Sequence, residues 1–332
     1  TSHRQAPVKS LVGDVRRMLA EFFMLPDGYE VVLGNGGSTM FWDAAAFCLV
    51  ERKAQHCAYG EFGTKFAKAT SAAPHLEDSS VRTAEPGQVA LPEAEDGIDV
   101  YAWPHNETST GAFAPVVRPT GADEALTVVD GTSAAGGTML DVTQTDAYYF
   151  APQKNFASDG GLWFVLMSPT GIERVERVAA SGRYIPDSLS ISLALDNSRQ
   201  DQTLNTPAVA TLVMMRAQLA WLLDHGGMAF AAARTADSSG RVYTWAEATA
   251  GAEAFVTEPA FRSPVVATID LDNSIDSGQL RSVLRDNGIV DIDPYRKLGR
   301  NQIRVGTFPA VDPEDVSALT ASIDWVLEHM RT

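Results

Sequence analysis

Asp146-Ala-Tyr-Tyr-Phe-Ala-Pro-Gln-Lys-Asn-Phe-Ala-Ser-Asp-Gly160 begins as a strand and ends as a loop. The run Asp146–Ala151 is apolar and of strand length, and Pro152 closes it. The loop then presents Lys154 between Gln153 and Asn155. Lysines ordinarily occupy solvated helix faces. One placed just past the end of an apolar strand stands where open α/β sheets form their ligand crevices.

Outward from this stretch, similar short apolar runs recur at Tyr29–Gly34, Gln55–Tyr59, Ile98–Trp103, Leu126–Asp130 and Leu162–Met167. Several alternate with helical stretches such as Thr39–Val50. That alternation predicts an α/β fold with a mostly parallel sheet covered on both faces. A long helix is expected from about Pro207 to His225, capped by Thr206, with Pro207 at its first position and Gly226-Gly227 ending it. Beyond it the pattern changes to a strand at Val265–Leu271, a helix at Gly278–Asn287 and a strand at Gln302–Thr307. A final helix opens at Asp312-Pro313-Glu314-Asp315 and sets Val316, Leu319, Ile323, Val326, Leu327 and Met330 on one face. The 332 residues exceed what one small core needs. The expected division is a large domain over residues 1–226 and a smaller C-terminal α+β domain over 227–332. Ala84–Gly97, with Pro86, Gly87 and Pro92 among acidic residues, reads as a surface loop.

Composition narrows the function classes. Hydrophobic residues at 45% and charged residues at 20% describe an ordinary globular chain. No apolar run approaches the roughly 18 residues of a membrane span, and Phe41–Val50 is interrupted by Asp43. The formal charge of −16 disfavours a nucleic-acid partner, because neutralising phosphates takes clustered cations. It also makes any local basic cluster informative. Cys48 and Cys57 match no metal or redox spacing and need no disulfide framework, and no basic-then-apolar leader opens the chain. A cytoplasmic protein without a metal is expected.

Three features carry candidate chemistry. Leu33-Gly-Asn-Gly-Gly-Ser-Thr-Met40 leads from a strand into a helix, so glycine amides and a helix N-terminus can approach an anion. It lacks the third glycine of the dinucleotide fingerprint and the Gly-Lys-Ser/Thr of a phosphate-binding P-loop. Taken alone it is equally an ordinary strand-to-helix turn. Asp130 ends the run Leu126–Asp130, where a carboxylate serves as metal ligand, general base, counter-charge to a ligand cation, or simply a turn starter. Lys154 stands 24 residues later. An amine, a carboxylate and an anion cradle are together what pyridoxal phosphate requires.

Pro152-Gln153-Lys154-Asn155, Asn106-Glu-Thr-Ser-Thr-Gly111, Leu204-Asn-Thr-Pro207 and Ser2-His-Arg4 together resemble the phosphoserine aminotransferase family. This is a class V aminotransferase group of the type I pyridoxal-phosphate fold, and the resemblance runs along nearly the whole chain. It implies that Lys154 is the lysine that bonds pyridoxal 5'-phosphate and that Asp130 partners the pyridine nitrogen. It implies that Gly37, Ser38, Thr39 and Gln153 cradle the cofactor phosphate, that Thr108 donates to the cofactor, and that Phe62 stacks on its ring. Many members have Arg where Ser38 stands, Trp where Phe62 stands and often His where Tyr295 stands. Asn205 and Thr206 match a pair that reaches the neighbouring subunit's cofactor, which implies a homodimer with shared sites.

Tyr295-Arg-Lys-Leu-Gly-Arg-Asn-Gln-Ile-Arg304 holds four cations in ten residues of an acidic protein. By the resemblance, Arg304 grips the substrate carboxylate, and Arg296 with His3 and Arg4 reads a substrate phosphate. The implied reaction is transamination of 3-phosphohydroxypyruvate with L-glutamate to O-phospho-L-serine and 2-oxoglutarate, in serine biosynthesis and in the related step of pyridoxine biosynthesis. The family also implies a further segment upstream of His3-Arg4 that carries part of the site floor. A class V aminotransferase with another acceptor, a dinucleotide-dependent oxidoreductase using the Gly34–Gly37 turn, and a binding protein without catalysis are the alternatives.

Overall fold

The computed structural model describes residues 2–330. It opens with α1 (Ala6–Phe22), β1 (Glu30–Gly36), α2 (Ser38–Cys48), β2 (Ala54–Ala58) and α3 (Glu61–Ser71). Next come β3 (Ser80–Thr83), β4 (Val100–Pro104), the small hairpin of β5 (Asn106–Glu107) and β6 (Ala112–Phe113), β7 (Leu126–Asp130), β8 (Ala147–Phe150) and β9 (Gly161–Met167). Helices α4 (Pro169–Ala180), α5 (Ile191–Arg199), α6 (Val209–Asp224) and α7 (Gly227–Ala248) lie beyond them. The chain ends with β10 (Ala252–Ala254), β11 (Val266–Leu271), α8 (Ser277–Asp286), β12 (Gln302–Gly306) and α9 (Pro313–Met330).

Seven strands pair in the order β1-β9-β8-β7-β4-β2-β3. β8, β7, β4, β2 and β3 run parallel, and β9 lies antiparallel between β8 and β1. β2, β4, β7 and β8 are buried along their whole length, as strands covered on both faces must be. Alternate residues of β8 feed two separate cores. Tyr148 and Phe150 pack with Leu11, Val15 and Leu19 of α1, whereas Ala147 and Tyr149 pack with Phe41 and Trp42 of α2. The mostly parallel sheet is therefore as expected, with its C-terminal strand ends gathered along one edge.

α1 is absent from the sequence expectations, although Val8, Leu11, Val12, Val15, Leu19 and Phe22 recur every three or four residues and are buried. Another difference lies at α6. It begins at Val209 behind Ala208, with no side-chain cap, rather than at Pro207 behind Thr206. The Thr206 hydroxyl is instead 3.0 Å from His3 Nδ1, so it is not free to cap. The glycine stop is as expected: Gly226 and Gly227 have φ of 118° and 64°, conformations that glycine adopts without strain. The 22-residue helix α7 begins at this stop, and the sequence expectations omit it. Its alanine, serine and threonine content blurs the apolar stripe. Met228 and Ala231 join the core of α1 and α6, while Val242, Trp245 and Ala246 join the C-terminal core.

That C-terminal core sits between the antiparallel sheet β10-β11-β12 and helices α8 and α9. Asp312 Oδ1 accepts the Glu314 amide at 2.9 Å near the start of α9. Val316, Leu319, Ile323, Val326 and Leu327 are buried on one face, and the side chain of Met330 lies outside the described residues. Among the described residues, no helix is long and apolar enough to cross a membrane.

Candidate active site

The sheet delivers its functional groups at the ends of strands. β7 ends at Asp130, β8 leads through Pro152 to Lys154, and β1 leaves through Gly36-Gly37 into α2. These groups meet on one cavity of about 500 Å³, which Thr39, Phe62, Asn106, Thr108 and Gln153 also line. Gly37 has φ 145° and ψ −179°, a region essentially closed to residues with a Cβ. No side chain caps α2. The amides of Ser38 and Thr39 and the Thr39 hydroxyl are therefore available to an anion.

Asp130 is buried, and its carboxyl is pushed up from the ordinary range by that burial. Hydrogen bonding by Thr132 first, and the nearby polar groups of Tyr149 and Trp42 after it, pull the other way. The Thr132 amide donates to Oδ1 at 2.8 Å, and the Thr132 hydroxyl shares a 2.6 Å hydrogen bond with Ser38 Oγ. The carboxylate and the anion cradle are thus braced against each other.

Lys154 is half-buried and, among the described residues, its side-chain amine has no hydrogen-bond or ion-pair partner. Burial first, and the Arg304 charge second, hold its amine below the usual lysine range. Arg304 stands on β12 and donates from Nη1 to the Thr108 carbonyl at 2.9 Å. Its guanidinium carbon lies 5.6 Å from the centre of the Tyr295 ring. R304M removes one of the two causes, so the Lys154 amine should titrate at higher pH and less of it should be neutral. The rate at which the amine condenses with an added aldehyde should then be slower at neutral pH, with its pH profile displaced upward. An unchanged profile would place Arg304 out of electrical reach of Lys154.

Phe62 sits in the first turn of α3. Its amide and that of Gly63 donate to Glu107 Oε2 at 3.0 and 3.1 Å. Glu107 is wholly buried, and burial raises its pKa. The Phe62 ring meets Tyr295 edge-on at 6.1 Å. Behind them, Thr108 Oγ1 and Asn106 Nδ2 donate to Ser133 Oγ at 2.7 and 2.8 Å, and Asn106 Oδ1 is buried without a partner.

Six residues singled out in the sequence are not among those lining this cavity: His3, Arg4, Asn205, Thr206, Arg296 and Arg304. His3 and Thr206 share a hydrogen bond, Asn35 Nδ2 donates to the Thr206 carbonyl at 3.0 Å, and Arg4 Nη2 donates to the Leu204 carbonyl at 3.3 Å. Asn205 lines a neighbouring recess with Asn35 and Gly36. His3, Arg4, Asn205 and Thr206 thus form one cluster. Arg296 is exposed and, among the described residues, without a hydrogen-bond or ion-pair partner, while its neighbour Lys297 pairs with Glu61 of α3. Sequence reasoning missed Thr132, Asn106 and Trp42 as lining residues. Asn106 falls inside the motif quoted for Thr108 and Thr132 lies two residues beyond Asp130, whereas Trp42 looks like any apolar residue of α2.

These residues fit pyridoxal phosphate. An unpartnered, desolvated amine shares a cavity with a buried carboxylate, and an uncapped helix N-terminus behind two glycines of positive φ offers its donors to the phosphate. Among the described residues, no group of three or more His, Cys, Asp or Glu is placed to hold a metal ion.

Comparison with known proteins is in keeping with this geometry. The family model described as aminotransferase class-V matches residues 1–291. The putative phosphoserine aminotransferase of Mycolicibacterium vanbaalenii is 57% identical over 330 residues, covering 99% of this chain and 89% of that protein. The phosphoserine aminotransferase of Nocardioides sp. is 58% identical over 332 residues, with the same coverages of 99% and 89%. Among solved structures, a phosphoserine aminotransferase from Cytophaga hutchinsonii superposes with a TM-score of 0.90 at 22% identity, covering 98% of this chain and 90% of that one. The phosphoserine aminotransferase from Bacillus circulans subsp. alkalophilus gives 0.86 at 19% identity, covering 100% and 90%. At those identities the structures establish the fold.

Proposed function

The chain belongs to the class-V aminotransferase family, and from that premise we propose that it is a phosphoserine aminotransferase working in serine biosynthesis. It transfers an amino group from L-glutamate to 3-phosphohydroxypyruvate, giving 2-oxoglutarate and O-phospho-L-serine. The observation that supports this most directly is the meeting of Lys154, Asp130 and the α2 N-terminus on one cavity, in a chain 58% identical to a phosphoserine aminotransferase.

Pyridoxal phosphate, when bound, supplies an aldehyde for the amine and a ring that accepts the electron pair left by a broken Cα–H bond. Gly37, Ser38, Thr39 and Gln153 would hold its phosphate. Asp130 would set a negative charge beside the pyridine nitrogen, and Thr108 and Phe62 would form the remaining walls. Lys154 Nζ, whose pKa burial lowers, takes the proton from the substrate Cα as general base. Arg304 offers the α-carboxylate two N–H groups in a fixed fork, which orients the Cα–H bond.

The distal anion distinguishes the two substrates. Glutamate brings a carboxylate and phosphoserine a dianionic phosphate. Arg296 from this chain, with His3 and Arg4 from a partner chain, is assigned to that anion. Charge-assisted contacts of this kind are worth about 1.5–3 kcal/mol each, so losing one weakens a substrate by about one to two decades. Arg304→Ala should therefore slow both half-reactions alike. Arg296→Ala should slow the phosphoserine half-reaction more than the glutamate one, in single-turnover measurements of each. Equal damage to both would remove Arg296 as the phosphate reader and leave an aminotransferase of another acceptor.

The assignment of His3, Arg4, Asn205 and Thr206 requires a homodimer whose sites are shared. Subunits carrying K154A, mixed with subunits carrying N205A and T206A, should recover part of the activity that each lacks alone. A mixed dimer owns one site with both native halves. Confirmed mixed dimers without any recovery would mean that each site is built within one chain.

A further inference from the structure

We propose that Tyr149, with Trp42 behind it, is the positioning residue for Asp130: its hydroxyl donates to the carboxylate and keeps it in place as an anion. The inference rests on the reading of Asp130 as counter-charge to the cofactor's pyridine nitrogen.

Tyr149 and Asp130 are direct partners in the parallel register of β8 and β7. Neighbouring strands lie about 4.8 Å apart, and register partners leave the sheet on one face. The Tyr149 ring cannot wander. It is fully buried, stacked on Phe41 at 4.4 Å and met edge-on by Phe66 at 5.9 Å. Trp42 Nε1 lies 2.9 Å from the Tyr149 hydroxyl. An indole N–H is a donor only, so the phenol oxygen is the acceptor in that bond. The phenol's own proton is then directed elsewhere, and the carboxylate of its register partner Asp130 is the acceptor we assign to it.

The carboxylate needs that proton donor. It is buried, and its first brace is the single amide of Thr132. The titratable groups facing it are unhelpful to a negative charge. Glu107 is a second buried acid within electrical reach, and Tyr59 and Tyr148 stay protonated because burial raises both. Asp43 and Lys154 line the same cavity, and Lys154 is itself held toward neutrality. A hydrogen bond to the charged form offsets desolvation. Without it the carboxyl drifts toward the neutral acid, which has no charge to lend a pyridinium.

Tyr149→Phe removes the hydroxyl and leaves the ring against Phe41 and Phe66. The holoenzymes of the native protein, Y149F, D130A and the double variant are mixed with L-glutamate, and decay of the cofactor's visible band is followed in single turnovers across acid and neutral pH. The carboxyl carbon of Asp130 is also titrated by NMR in the cofactor-free protein, using carbon-13-labelled aspartate and assigning the signal by its loss in D130A. Y149F should slow the single turnover about tenfold, the worth of one hydrogen bond to a charged group. It should also move the acid limb of the rate profile and the Asp130 titration to higher pH, and leave the glutamate concentration at half-saturation within about twofold. The double variant should be no slower than D130A, because Tyr149 acts only through Asp130. An Asp130 titration unmoved in Y149F overturns the proposal, as does a further loss in the double variant. A native rate in D130A overturns the underlying reading of Asp130, and that arm shows it independently of Y149F.

Discussion

Lys154→Ala is expected to abolish turnover while leaving the fold and much of the cofactor affinity intact. A positioned general base contributes about two to four orders of magnitude. In the proposed reaction Lys154 holds that role alone, because no other basic side chain among the described residues lines the cavity. The loss in the single-turnover reaction with glutamate should therefore be at least about three orders of magnitude. Stability should barely change. The amine has no hydrogen bond or ion pair among the described residues, and truncating it relieves a desolvated cation. The α2 part of the phosphate cradle, Phe62 and Asp130 lie on other elements and survive the substitution. Two measurements check this. Borohydride treatment of the native protein with pyridoxal phosphate should fix the cofactor onto one tryptic peptide, the one containing Lys154. The variant should still protect its cofactor from dialysis but label no peptide. Labelling at another lysine, or turnover within tenfold of native, would dismiss Lys154 from the reaction.

Much of this site was legible in the sequence because its pieces come from chain reversals. Gly36-Gly37, Asp130 and Lys154 each stand at the end of a short apolar strand, and a buried strand ending in polar residues has few places to go in a doubly covered sheet. What stayed hidden depends on which strands are neighbours. Nothing in the stretch Asp146–Gly160 says that Tyr149 stands beside Asp130. Their proximity comes from β8 pairing with β7 in one register, a property of two segments at once. Trp42 and Glu107 are hidden for the same reason, since their partners, Tyr149 and the amides of Phe62 and Gly63, lie on other elements.

The fold expectations failed where periodicity is weak. α6 is apolar nearly all round, so its pattern does not locate its first turn, and Thr206 looks like a cap until His3 is seen to occupy it. α7 fails differently. Its small residues let it pack first on the large core and then on the C-terminal one, and a helix that changes partners midway carries no single stripe. Arg304's sheet reaches the cavity wall directly, where the Arg304 guanidinium donates to the Thr108 carbonyl.

Asp130→Asn should make the cofactor-free protein more stable and the enzyme nearly inert. Burial raises the Asp130 carboxyl above its unfolded value, so folding disfavours the charged form. That penalty is absent below the unfolded pKa and grows as pH rises toward the folded one. The neutral amide escapes it and still offers an oxygen to the Thr132 amide. At neutral pH the native aspartate is the costlier residue, so D130N should melt higher than the native protein without cofactor, and the difference should shrink as the medium is acidified. Pyridoxal phosphate should reverse the order. The native carboxylate gains a pyridinium partner and the amide does not, so added cofactor should raise the native melting temperature more. The same loss of counter-charge should slow the glutamate half-reaction by about two orders of magnitude, the scale seen when one preorganised electrostatic partner is removed from a dry site. Calorimetry with and without cofactor, at neutral and acid pH, reads the first effect, and stopped-flow absorbance reads the second. A variant that melts lower than native at neutral pH without cofactor, yet turns over normally, would make Asp130 a structural residue of the β7 end rather than the group that draws charge into the ring.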